Sequence, residues 1–204
     1  KTKQACRAFA LKRQLRHSKF LVYQDYPASG GKQDPIFKRF YWWELECVDA
    51  IERQFGLTII KKSFKELAET ARAIPDENAL AVWVERAGKT PTANLSNRAI
   101  LSAIKLYMQV KHDLDADPEI IAAGMNCLNE SQYCDTTHCL AWNLLYEERR
   151  MIWGCEADIV SMLTELLIEK TIEKPVMMTN LYPFVMGQAA LKHENIPYFP
   201  RWKG

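Results

Sequence analysis

With 204 residues, the chain is long enough for one substantial domain that buries its own core. Hydrophobic residues make up 48% and charged residues 25%, an ordinary balance for a soluble globular protein. No window approaches the roughly eighteen consecutive apolar residues of a membrane span, which excludes a helical membrane protein.

The net charge of +2 hides an asymmetry, with residues 1–40 at +8 and the remainder at −6. The early cations are interleaved with alanines and leucines. This reads as a solvated helix face, or one that docks on an acidic surface, rather than a nucleic-acid arm. The start, KTKQACRAFALKRQLRH, is basic without a hydrophobic segment, so no signal peptide is expected. Beginning at Lys1, the chain is expected to be a fragment or a trimmed piece. Six cysteines without a small-domain disulfide framework suit reduced thiols and a cytoplasmic location.

In chain order, residues 4–16 predict a helix with Leu11 and Leu15 on one face, and KFLVYQ (19–24) a short apolar strand. DYPASGGKQDP (25–35) is a loop; its Gly30-Gly31-Lys32 lacks phosphate-loop spacing and reads as a surface or site-rim segment. A long helix, IFKRFYWWELECVDAIERQF, ends at Gly56, and its Trp42 and Trp43 read as core or inter-subunit packing. GLTIIKK is the next strand. Ser63 with Glu66 three residues on signals a capping box for SFKELAETARAI. Further helices are expected over 76–87 and from Asn94 to His112, then a buried strand PEIIAAGMN (118–126). After the loop CLNESQYCD come the helix TTHCLAWNLLYEER, the strand MIWGC, the helix ADIVSMLTELLIEK and a last strand KPVMMTN (174–180). The tail is rich in aromatics and proline.

Strands alternating with helices predict a three-layer αβα fold, flavodoxin-like or Rossmann-like. Its parallel sheet would have about five strands, in the order 2-1-3-4-5. Ligands of such sheets gather beyond the carboxyl ends of the strands. Glu156 directly follows MIWGC, and Asn180 closes KPVMMTN. A right-handed crossover through the intervening helix would bring both strand ends to one edge, close enough to share a ligand if the strands are neighbours. The plainer alternatives are a helix-start carboxylate for Glu156, a job Asp158 could also do, and a turn residue for Asn180.

Cys127, Cys134, His138 and Cys139 suggest zinc, but no Cys-x-x-Cys pair is present and His138 adjoins Cys139 in an expected helix. They read as buried or incidental thiols. Cys155 is a poor nucleophile on this reading, because the neighbouring Glu156 carboxylate opposes thiolate formation.

GCEADIVSMLTELLIEK followed by KPVMMTN resembles the L-fucose isomerase-like family, which includes L-fucose/D-arabinose isomerase. The likeness rests on Cys155, Glu156, Asp158, Leu163, Thr164 and Pro175, with Asn180 falling 24 residues after Glu156 where the family carries a metal-binding Asp. FLVYQDYPASGG, RQFGLTIIKKSFKELAETARAIPDENALAVW and AILSAIKLYMQVKHDL are similar to other stretches of the family's middle domain. The resemblance implies a central domain over 1–187, with 188–204 a tail or linker toward a missing C-terminal domain. It implies a metal-dependent aldose–ketose isomerase using Mn²⁺ (or Mg²⁺), a small-molecule sugar substrate and a homo-oligomeric parent. Glu156 would be a metal ligand and proton carrier, and Asn180 a weakened second ligand. The family's third ligand, a His, has no counterpart here, since His193 in the tail does not align with it. The domain is therefore expected to be inactive by itself. A non-catalytic sugar-binding or scaffold domain with a degenerate metal site is the alternative. A flavodoxin-like nucleotide binder would rest on fold analogy alone.

Overall fold

The computed structural model describes residues 2–25, 44–86, 88, 90–127, 133–176 and 178. Gly30-Gly31-Lys32, Trp42, Trp43, Asn180, His193 and the tail 188–204 lie outside the described residues.

Helix α1 (Thr2–Leu15) buries Leu11 and Leu15, one turn apart, and leads into β1 (Lys19–Tyr23). Helix α2 (Leu45–Phe55) stops at Gly56, whose φ of 76° is left-handed and whose N–H donates to the Glu52 carbonyl. Strand β2 (Thr58–Lys62) follows. Ser63 caps α3 (Phe64–Ala73), its hydroxyl accepting the Glu66 N–H at 3.1 Å, as the capping signal predicts. Helix α4 spans Asp76–Arg86. Helix α5 (Asn97–Ala116) starts three residues later than expected because Ser96, not Asn94, accepts the first free N–H. Then come β3 (Ile120–Met125), α6 (Cys139–Arg149), β4 (Ile152–Cys155) and α7 (Ile159–Ile172).

The four strands form one parallel sheet in the order β2-β1-β3-β4, the first four positions of the expected arrangement. Because strand side chains alternate, each strand feeds two cores. Leu21 and Tyr23 of β1, Ala123 and Met125 of β3, and Trp153 of β4 pack with α3, α4, α5 and α6. Phe20 and Val22 of β1, Ala122 of β3, and Ile152 of β4 pack with α1, α2 and α7. The result is three layers, helices over both faces of the sheet. No helix among the described residues is long and apolar enough to cross a membrane.

The face taken by α7 bears on the expected fifth strand. The connections β1–α2–β2, β2–α3/α4/α5–β3 and β3–α6–β4 share one hand, given the strand order and the faces on which their helices lie. Helix α7 lies on the opposite face from α6. A parallel strand placed directly beside β4 after α7 would therefore need a crossover of the disfavoured hand. Within 174–180, the described residues Lys174, Pro175, Val176 and Met178 are not in a strand.

Two glycines let α7 come this close. Gly124 and Gly154 face each other across the β3–β4 ladder, under the start of α7. A Cβ on Gly154 would meet Met162 Cγ at 2.5 Å and the Asp158 carbonyl at 2.9 Å; one on Gly124 would meet the Gly154 carbonyl at 2.7 Å. The backbone carbonyls cannot swing away as a flexible side chain would. Gly154→Ala should therefore lower stability by about 1–3 kcal/mol in urea denaturation, by forcing α7 off the sheet.

Glu165 is buried on α7, and its Oε1 has no hydrogen-bond partner among the described residues. Burial, then the charges of Asp158 and Glu169, push its carboxyl from 4.5 up to about 7. The native state thus holds a proton that the unfolded chain releases, so stability should fall as pH rises between 4.5 and about 7. Glu165→Gln should flatten that decline, read as urea midpoints at pH 5 and pH 8.

Candidate functional site at the carboxyl edge of the sheet

Strand β1 connects outward to β2 on one side, while β3 and β4 lie on the other, so the sheet's connections diverge between β1 and β3. Beyond the carboxyl ends of such strands, side chains converge on a crevice. Gln24 follows β1 and is 4% exposed, with no partner for its Nε2 among the described residues. Asn126 follows β3, is fully buried, and donates its N–H to the Tyr23 carbonyl at 3.0 Å. Cys127 comes next in the chain, Cys155 ends β4, and Glu156 follows it.

Glu156 is not the helix cap. Asp158 takes that role, with Oδ1 accepting the N–H groups of Val160 and Ser161 at 2.9 Å each and Oδ2 accepting the Ser161 hydroxyl at 2.7 Å. Glu156 instead occupies a tight turn from Cys155 to Asp158, closed by the Asp158 N–H on the Cys155 carbonyl at 3.0 Å. Both central residues are left-handed, Glu156 at φ 58° and Ala157 at φ 56°. Such turns ordinarily use Gly or Asn, because a Cβ in this region costs roughly 1–2 kcal/mol. Two successive residues bear that cost here, and local strain of this kind clusters at functional sites. Glu156 is half-buried, and burial followed by the Asp158 charge raises its carboxyl above the usual range.

Beside it lies a group that linear spacing conceals. One ligand atom from each of Cys127, His138 and Cys155 lies within 4.8 Å of the others. The two sulfurs are 3.7 Å apart. His138 occupies the N-cap position of α6 without capping it. Its ring is wholly buried and stacked on Trp153 with centroids 5.4 Å apart, and among the described residues no hydrogen bond of ordinary geometry reaches either nitrogen. Cys155 hydrogen-bonds to Cys127, which draws the Cys127 thiol below its ordinary range despite burial, helped by the Glu156 backbone N–H. Cys155 is pushed up, first by Cys127 and then by burial, while His138 opposes the shift. The expected cause, the Glu156 carboxylate, is not what raises it.

Cys134 and Cys139, grouped with Cys127 and His138 in the sequence reading, stand outside this cluster. Cys155 belongs to it instead. The register of β3 on β4, with Met125 opposite Cys155, delivers the thiol, and no local pattern announces that pairing. Elsewhere, a cavity of about 520 Å³ on the α3–α5 surface is lined in part by Cys134 but by none of Cys127, His138, Cys155 and Glu156. Its cations are already matched, Arg98 with Asp135 at 3.1 Å and Lys105 with Asp76 at 2.6 Å.

If Glu156 holds its strained backbone for a purpose other than stability, Glu156→Gly should raise stability by about 1 kcal/mol in chemical denaturation, because glycine adopts this φ freely. No protein-family model matches the sequence, and a comparison with curated proteins finds no match.

Proposed function

We propose that this chain is the central α/β domain of an aldose–ketose isomerase-like protein, with Glu156 the group that carries a proton between neighbouring carbons of a sugar. The observation that carries the reading is Glu156 itself. It is a half-buried carboxyl of raised proton affinity, held in a strained turn at the carboxyl edge of a parallel sheet. Burial raises the proton affinity of this carboxyl above that of a fully solvated one, which makes it a better proton carrier.

The donor set bears on the cation such chemistry uses. Manganese and magnesium favour carboxylate, carbonyl and water oxygens. Among the described residues at this edge, Glu156 offers a carboxylate, while Cys127, Cys155 and His138 offer sulfur and nitrogen. The clustered thiols and imidazole do not fit a hard cation, and a manganese site would need further oxygen donors beside Glu156, Asn180 being the one the resemblance suggests. Asn180 would bring a neutral carbonyl where an acid is expected, which favours the second reading, a sugar-binding or scaffold domain that no longer isomerises. Leu80 and Val84, 53% and 67% exposed one turn apart on α4, give an apolar patch in keeping with the oligomer the resemblance implies.

Because this domain is expected to be inactive by itself, the test is turnover of a panel of aldoses by the full-length parent protein, followed as ketose formation. Glu156→Gln should lower kcat by about 10²–10⁴-fold with little change in sugar affinity. Full activity in that variant would remove Glu156 from the chemistry. Calorimetric sugar binding without turnover in the unaltered protein would select the non-catalytic reading.

A further inference from the structure

We propose that Cys127, His138 and Cys155 form a zinc site at the carboxyl edge of β3 and β4, with the fourth coordination position left to water or another exogenous ligand. The inference stands apart from the isomerase reading, because neither Glu156 nor Asn180 is among its ligands.

Geometry comes first. Two thiolates bound at about 2.3 Å to one tetrahedral ion lie about 3.8 Å apart. The sulfurs of Cys127 and Cys155 are 3.7 Å apart, far longer than a disulfide and close to that tetrahedral edge. All three donor atoms fall within 4.8 Å of one another, so the imidazole has at most an ångström or so to travel toward an ideal nitrogen–sulfur edge of about 3.5 Å.

Burial supplies the second, independent observation. The His138 ring is fully enclosed, and among the described residues no hydrogen bond of ordinary geometry reaches either nitrogen, the Cys155 thiol being close enough only to act on the ring. Buried polar atoms are nearly always satisfied, and an unsatisfied one is costly. A plain arrangement of thiol hydrogen bonds would explain the sulfurs but leave at least one buried imidazole nitrogen without a partner among the described residues. A cation between the three side chains gives one of its nitrogens a bond.

The chemistry of the set selects the metal. Two thiolates and an imidazole favour Zn²⁺ over Mn²⁺ or Mg²⁺. Among the described residues the group numbers three, one short of the closed set of a structural zinc site. On binding, Zn²⁺ takes the place of the two thiol protons, which leave to solvent, and no oxidation is involved. The ion would join the segment after β3, the start of α6 and the end of β4, fixing the turn that carries Glu156.

Cobalt(II), a spectroscopic substitute for zinc, reads the site directly. The full chain, reduced and stripped of metal with a chelator, is titrated with Co²⁺ and then with Zn²⁺. One equivalent should give a thiolate-to-cobalt charge-transfer band and the intense visible bands of a tetrahedral ion, and Zn²⁺ should displace both. Cys127→Ser and Cys155→Ser should each abolish or sharply weaken the charge-transfer band. Cys134→Ser and Cys139→Ser should leave it unchanged. Because His138 is wholly buried, its replacement would test folding together with metal binding, so the serine variants, checked by circular dichroism, carry the test. Absence of the band in the reduced, folded protein would overturn the proposal, as would a band that survives loss of either Cys127 or Cys155. Isomerase assays of the same samples keep this result separate from the fate of Glu156.

Discussion

The close approach of α7 to the sheet across Gly124 and Gly154 is the constraint from which the site follows. With a side chain at either position, Met162 and the first turn of α7 could not lie where they do, since backbone carbonyls stand within 3 Å of the absent Cβ atoms. Because the helix starts so near the end of β4, only a four-residue turn is left to connect them. That turn must reverse sharply, and it does so by placing Glu156 and Ala157 in the left-handed region. Packing between glycines and a methionine thus becomes backbone strain at a carboxylate two residues from the helix cap.

The same arrangement divides labour between two acids that look equivalent in the chain. Asp158 spends both its oxygens on the start of α7 and is fully committed to structure. Glu156 is held half out of water beside it, where burial and the neighbouring charge raise its proton affinity. A helix needs one N-cap, and once Asp158 supplies it, the capping account of Glu156 loses its physical basis.

The edge of the sheet also gathers two kinds of donor that suit different chemistry. Carboxylate oxygen is hard, and the adjoining thiols and imidazole are softer. Trp153 forms one wall of this region, its ring stacked on His138 and its own indole N–H without a partner. Several buried polar atoms near the carboxyl ends of the strands, Gln24 Nε2 and the His138 nitrogens among them, lack a hydrogen bond of ordinary geometry among the described residues.

Much of this was determined by the sequence alone, because the deciding interactions are local. The Ser63 cap, the Gly56 stop, the alternation of strands with helices and the burial of Ile159, Met162, Leu163 and Leu166 follow from turn chemistry and periodicity within a few residues. So did the nomination of Glu156 at a strand end, since position in a parallel sheet can be inferred from element order. Tertiary structure decided what depends on distant partners. It chose Asp158 over Glu156 as cap, put α7 on the face opposite α6, and joined Cys155 to Cys127 and His138, residues 28 and 17 positions apart in the chain. Strand register and helix side are settled by the packing of whole layers, and that information is spread over too many residues for any short stretch to display.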